Sequence, residues 1–295
     1  MDTPPGNSQD PHPQKAAQHD KDRGGSVLTD SAAPQEGAKK PAEAILSEQI
    51  EEEVGQIERN GWSLFLSGTS AGFELGFSVF LMGVMLTVTR DQLAEPISRV
   101  LVASVYSIGY IFVILGRSEL FTEHTTQAVL PVLDRKSSFG GLARLWVIIY
   151  VSNLIGGTVF AAAAAWIGPA LHVADPEAFG TIAEYVVGYP WWVILVSGIL
   201  AGWMMGLLTW LVVAGRDTIG QVACVWIVTF AIGFAHLHHS IAGTIEALTG
   251  LFAGQPVAVG EIGVFLVFAT LGNAIGGVVF VALFKYGQIS LLGSE

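Results

Sequence analysis

Six apolar runs fill residues 61–288 of the 295-residue chain, at 62–89, 100–133, 144–167, 190–214, 220–253 and 261–286. A helix needs about 20 such residues to cross a hydrocarbon layer of about 30 Å, and each unbroken run reaches that length. The pattern predicts six membrane-spanning helices. Trp62, Trp166, Trp191 and Trp192 fall at run ends, where aromatic side chains sit at the membrane surface.

Two of the runs are interrupted. The second is divided at 116–122 by Gly116-Arg117-Ser118-Glu119-Leu120-Phe121-Thr122, with Glu123, His124 and Thr125 following. Two acids, an arginine and three hydroxyls cannot all face lipid. Irregular backbone at that depth is tolerated only inside protein or along a cavity, because each unpaired backbone group costs several kcal/mol there. The fifth run is divided at 233–239 by Gly233-Phe234-Ala235-His236-Leu237-His238-His239, ahead of Ser240. Paired breaks at corresponding positions of two halves point to a transporter's site.

An internal repeat makes the halves explicit. Ser67-Gly68-x-x-Ala71-Gly72-x-x-x-Gly76 recurs as Ser197-Gly198-x-x-Ala201-Gly202-x-x-x-Gly206, and Asn153-x-Ile155-Gly156-Gly157 recurs as Asn273-x-Ile275-Gly276-Gly277. Three spans per half is an odd number, so the second half runs inverted relative to the first. The glycines at every fourth position predict close helix crossings. The fold class is therefore an all-α membrane protein of two inverted three-helix repeats with two broken helices.

The pore domain expected at 61–288 is preceded by two other segments. Over 44–60, Leu46, Ile50, Val54 and Ile57 recur at helical spacing with Glu48, Glu51, Glu52, Glu53 and Glu58 between them, which predicts an amphipathic helix. Its acidic face is repelled by anionic lipid, so it either docks on the protein's own cytoplasmic surface or stands solvated before the first span. Residues 1–43 are rich in Pro, Gly, Ser, Gln, Asp and Lys and predict a disordered acidic tail. Residues 289–295 form a short C-terminal tail. The start of the chain lacks the charged-then-apolar order of a cleavable signal peptide, which favours a cytoplasmic N-terminus.

Composition agrees with this division. The chain is 52% hydrophobic and 13% charged, and residues 1–60 carry 12 of its 25 acids and 6 of its 14 bases. The net charge of −11 argues against nucleic acid as a partner, which requires a basic face. Cys224 is the only cysteine, so no intrachain disulfide can form. Basic residues set the orientation: Arg59, Arg135, Lys136, Arg144, Arg216 and Lys285 share one side, and the loops at 168–189 and 254–260 have none. This places both termini in the cytoplasm, with Arg90 and Arg99 as the two dissenters.

Motifs at the two breaks and in the third and sixth runs resemble the formate/nitrite transporter family over roughly residues 60–287. They are Ser118-Glu119-Leu120-Phe121-Thr122, Asn153-Leu154-Ile155-Gly156-Gly157, His239-Ser240-Ile241-Ala242 and Leu271-Gly272-Asn273-Ala274-Ile275-Gly276-Gly277, in that order. The resemblance implies an aquaporin-like protomer, a homopentamer with one pore per protomer, and an integral protein of the bacterial cytoplasmic (inner) membrane. It also implies small monovalent weak-acid anions and protons as the species handled, no cofactor and no enzymatic reaction. Leu120, Phe121 and Thr122 match the family's pore loop, and His239 matches its central histidine. Aligning Gly233-Phe234-x-His236 instead would give that role to His236. Tyr106 and Tyr110 fall where the family places an apolar constriction. Gly243, Glu246 and Gly202 depart from the family's pattern, in which Gly243 and Gly202 are usually asparagine.

The chemistry follows from hydration. An anion entering a narrow apolar pore loses its water, and either a positive charge or a proton lowers that cost; a histidine can supply both near neutral pH. Thr122 and backbone N–H groups would hold the anion meanwhile. Glu74, Glu119 and Glu246 lie within runs or breaks and need a partner or a proton, with Arg117 as the first candidate partner; together with His236 they form a possible ion pair or proton relay. The alternative is a channel for a small neutral or cationic solute such as water or ammonia. A metal site from His236, His238, His239 and Glu246 is disfavoured, since only His124 and His172 remain elsewhere in the pore domain, and no metal is expected.

Overall fold

The computed structural model describes residues 39–292. Of the two expected tails, only residues 39–43 and 289–292 are among these, and the remainder lies outside the described residues. The elements in order are α1 (Ala42–Glu58), α2 (Gly61–Thr89), α3 (Glu95–Gly116), α4 (Phe121–Gln127), α5 (Leu130–Leu133), α6 (Phe139–Ala170), α7 (Pro176–Val187), α8 (Trp191–Ala214), α9 (Thr218–Phe234), α10 (Ser240–Phe252), α11 (Val259–Gly277) and α12 (Phe284–Leu292), the last two joined by a π-helical stretch, Val278–Leu283. Among the described residues there is no strand.

Five helical segments are long and apolar enough to cross a membrane: α2, α3, α6, α8 and the rod Val259–Leu291. The fifth apolar run of the sequence is different. It is carried by α9 and α10, of 17 and 13 residues. Outward faces keep large apolar side chains exposed, among them Leu66, Val147, Val159 and Val196, as lipid or a neighbouring subunit requires.

The two halves pack alike. Helix α2 crosses α6 as α8 crosses α11, and glycines line both crossings. A Cβ on Gly72 would strike the Asn153 carbonyl and the Gly157 nitrogen, while one on Gly202 would strike the Asn273 carbonyl. Gly156 and Gly276 sit equally close to the Thr69 and Ile199 carbonyls. The direction is reversed between halves. Helix α2 begins beside α1, where Arg144 donates to the Ile57 and Arg59 carbonyls, whereas its counterpart α8 ends beside α1, where Lys40 donates to the Val213 carbonyl at 2.8 Å.

Two local expectations are corrected. The stretch 168–189, read as a loop, contains α7, whose Phe179, Ile182, Ala183 and Val186 are buried; its apolar face is short and was hidden among Gly, Pro and acids. Helix α1 packs on the core through Ile45, Leu46, Ile50 and Ile57, but Glu53, assigned to the acidic outer face, is buried on the inner one. Its carboxylate has a specific partner there, described below.

Gly72→Leu is expected to abolish the folded state, because the neighbour is backbone and cannot move aside, and overpacking already costs about 1–3 kcal/mol where side chains can shift. Gly55→Ala, in α1 with nothing within 4 Å, should be neutral or add about 0.5–1 kcal/mol. Size-exclusion profiles and thermal unfolding in detergent check both; a normally folded Gly72→Leu would mean that α2 and α6 do not pack as described.

Candidate transport site

Each broken helix ends in one residue with left-handed backbone, Arg117 (φ 57°) and His236 (φ 49°), after which the chain runs extended and restarts as a helix. The freed backbone groups are satisfied by one asparagine per break. Asn153 accepts from the Phe121 N–H at 2.9 Å and donates to the Gly68 and Glu119 carbonyls, both at 2.8 Å. Asn273 accepts from the Ser240 N–H at 2.8 Å and donates to the Gly198 and His238 carbonyls, both at 2.9 Å. Hydroxyls complete the match, with Ser67 accepting from the Glu119 N–H and Ser197 from the His238 N–H. The asparagines sit on α6 and α11, held against the serine-bearing helices by the glycine crossings. Packing and polar satisfaction are therefore one device.

The breaks meet through side chains. Thr122, second residue of α4, and His239, the N-cap of α10, are fully buried, and Thr122 Oγ1 lies 2.8 Å from His239 Nε2. The other ring nitrogen, Nδ1, accepts from the Ala242 N–H at 3.2 Å. An imidazole whose Nδ1 accepts carries its hydrogen on Nε2, so Nε2–H donates to Thr122 and the threonine's own hydrogen is free for another acceptor. Tyr110 packs edge-on against His239 with ring centroids 5.3 Å apart, and its hydroxyl bonds that of Tyr106 at 2.6 Å.

Two cavities approach this point. On the α1 side, a vestibule of about 620 Å³ is lined by residues including Lys40, Arg59, Arg117, Glu119, Glu123 and His124. On the opposite side, a cavity of about 30 Å³ touches Tyr106, His236, His239 and Glu246. It shares Met82, Tyr185, Gly233 and His236 with an outer pocket of about 270 Å³ that Arg90, Glu95 and Arg99 line.

The remaining expected residues take various places. Leu120 is fully buried, while Phe121 packs its ring on Tyr150 and Trp146. His236 lies against Tyr185, with ring centroids 4.4 Å apart, and does not reach Thr122. Arg117, expected from sequence to pair with Glu74, Glu119 or Glu246, pairs with none of the three. Its left-handed backbone turns it outward, and it lies 3.6 Å from Glu52 on α1. Burial pushes the Glu52 carboxyl upward, with Glu53 adding to the effect and Arg117 opposing it. Glu74 accepts from Ser70 and Ser118 instead, at 2.8 and 3.0 Å.

Glu119 belongs to a cluster that sequence reading missed. Arg59 Nη1 reaches its Oε1 at 2.7 Å, His124 Nε2 lies 2.7 Å from its Oε2, and His124 Nδ1 lies 3.0 Å from Glu53 of α1. With both ring nitrogens against carboxylates, an imidazolium balances the charges of the four residues. The cluster ties α1 to the first break. Glu119, Glu123 and His124 were visible as adjacent titratable groups, but no local pattern pointed from His124 to Glu53, 71 residues away. The two dissenting arginines also find roles, since Arg99 donates to the Phe234 carbonyl at the end of α9 at 2.7 and 3.0 Å and Arg90 lies 3.4 Å from Asp175.

Inverted repeats, two broken helices and a buried polar contact between them define a membrane pore protein of the aquaporin-like kind. Residues 43–287 match the family described as Formate/nitrite transporter, and the chain belongs to that family. Among its relatives, inner membrane protein YfdC of Escherichia coli is 28% identical over 79% of this chain and 74% of its own. The probable formate transporter of Methanothermobacter thermautotrophicus is 29% identical over 71% and 84%, and nitrite transporter NirC of Salmonella typhimurium 28% over 76% and 82%. Two solved structures share the fold: an FNT family ion channel (TM-score 0.74, 24% identity, 83% of this chain and 98% of that one) and a pentameric formate channel with formate bound (TM-score 0.65, 21%, 78% and 98%).

Asn153→Ala and Asn273→Ala should each lower thermal stability sharply, since every buried group left unpaired costs about 1–3 kcal/mol and each asparagine serves three. An unchanged unfolding temperature for either would mean that water or another side chain can take the clamp's place. Separately, Glu53→Ala should free α1: loss of a charged hydrogen bond worth about 1.5–3 kcal/mol predicts roughly tenfold or more faster amide exchange in α1. Glu51→Ala, on the outer face, is the control, and equal protection in the two variants would dismiss the clamp.

Proposed function

We propose that this protein is a channel or transporter for small monovalent weak-acid anions such as formate and nitrite, working as a homopentamer with one pore per protomer. The inner membrane of a bacterium, with both termini cytoplasmic, is the setting we infer. The observation that carries the reading is the Thr122–His239 hydrogen bond, which joins the two helix breaks between opposed cavities. Family membership and the formate and nitrite named in its relatives supply the substrate class.

The site would act by replacing water. The N-terminus of α10 carries the positive end of its helix dipole, and the free Thr122 hydroxyl hydrogen offers an anion a donor. Neutral His239 orients that hydroxyl. A proton arriving at Nδ1 must displace the Ala242 N–H, at a cost of about 1 kcal/mol for a lost cap. Charge on His239 is then favourable only with an anion beside it, which couples proton exchange to anion occupancy.

His239→Asn tests this cleanly, because asparagine is itself a good N-cap and keeps α10 capped while shortening the reach to Thr122. Initial formate and nitrite flux into proteoliposomes should fall and lose its pH dependence, with less effect from His236→Asn. Thr122→Val should lower flux too, and combined with His239→Asn it should be less than additive. Water and ammonia flux are measured alongside. Wild-type protein that passes those but neither anion would replace this reading with the neutral-solute one.

A further inference from the structure

A second polar station lies on the same face of α10 as His239. Glu246 is seven residues further on, two helical turns and about 10 Å along the axis. It is 8% exposed and, among the described residues, its carboxyl has neither a hydrogen bond nor an ion pair. It lines the cavity of about 30 Å³, a space for about one water molecule. The outer pocket that shares His236 and Tyr185 with this cavity gives it a route to the face opposite α1.

The titratable groups around the cavity are Tyr106 of α3, Tyr185 of α7, and His236, His238 and His239 of the break, with Tyr110 behind Tyr106. Among the described residues no lysine or arginine lines it. The nearest candidates in the outer pocket are engaged, Arg99 by the Phe234 carbonyl and Arg90 by Asp175. A carboxylate buried at this depth without a cation costs several kcal/mol, and a carboxylic acid does not. Aiming an unpaired acid into a one-water cavity makes it a store for a proton rather than a strut.

We propose that Glu246 is the proton-loading residue of the pore mouth opposite α1. This rests on the weak-acid reading above and deepens it. An anion reaching the cavity from the Arg90 and Arg99 side takes the proton: the Glu246 O–H bond breaks, directly or through one water, and the hydrogen forms the O–H of the neutral acid. The neutral acid continues past the Tyr106–Tyr110 pair toward Thr122, and a proton from the bulk solution, relayed by water through the outer pocket, re-forms the Glu246 O–H. Tyrosine suits that constriction, because a hydroxyl pair can hydrogen-bond a neutral acid, whereas a carboxylate at Glu246 would repel the anion.

Glu246→Gln keeps the shape of the side chain and removes its proton. Formate and nitrite flux with simultaneous internal-pH readout are compared for wild type, Glu246→Gln and Glu246→Asp in proteoliposomes. The glutamine variant should assemble normally, lose roughly tenfold or more of its flux at neutral pH and lose the accompanying proton; aspartate should recover most of both. Infrared difference spectra give a second readout: wild type at neutral pH should show a protonated-carboxyl band that Glu246→Gln lacks and Glu246→Asp shifts. Equal flux and pH profile in Glu246→Gln overturn the proposal while leaving the transport reading intact, as does absence of the band. Ammonium or alkali-cation flux in wild type that Glu246→Gln abolishes overturns it in favour of a cation site. Failure of wild type to pass either anion is the distinct outcome that removes the transport reading itself.

Discussion

Breaking a helix inside a membrane leaves backbone donors and acceptors with no water to satisfy them, and everything else in this protein depends on how that debt is met. Asn153 and Asn273 each serve three backbone groups across a break, from a position that only a close glycine crossing allows. Any bulkier residue at Gly72 or Gly202 would push the asparagine-bearing helix away from the loop it holds. The glycine ladder and the polar site are thus not separate features, one structural and one functional. The ladder sets the distance at which the clamp can work.

With the breaks held, the side chains between them are constrained in ways that matter chemically. His239 serves as N-cap and pore residue at once, and the cap decides which nitrogen carries the hydrogen. Thr122 is thereby left with a hydrogen to offer. The pseudo-twofold counterpart of His239 is Leu120, the N-cap residue of α4, which has no polar side chain to give. The two halves share a scaffold and differ at the position where chemistry is needed, as expected when function resides in a site placed on a fold rather than in the fold.

The two faces of the pore are unlike. On the α1 side the bases are matched with acids: Lys40 with Glu48, Arg117 with Glu52, and Arg59 and His124 with Glu119 and Glu53. All but the Lys40–Glu48 pair lace α1 to the first break, so α1 has a mechanical hold on the stretch that leads into Thr122. On the opposite side an outer pocket narrows to a small cavity that leads inward past aromatic rings and an unpaired acid. Such asymmetry within an inverted repeat is legible only once side chains are placed.

Much of this was readable from the chain alone, because hydropathy at this depth is a severe constraint. Lipid accepts only helices of a certain length, so the four unbroken apolar runs give membrane-length helices, interruptions give the breaks, and the repeated Ser-Gly and Asn-Ile-Gly-Gly motifs give the halves. The residues after His239 matched it to the family's central histidine but left His236 as an alternative, and it is the fold that sets His239 2.8 Å from Thr122. What sequence could not decide were pairings across long separations. Arg117 stood two residues from Glu119 in the chain, yet a left-handed turn sends it to Glu52, and Glu119 goes to His124 and Arg59. Glu53 looked like a solvated acid because its helix also has a polar face, and only docking revealed which face was inward. Local composition determines whether a segment can enter the membrane; which charges then meet depends on backbone direction and helix rotation, and these are set by packing among all the helices together.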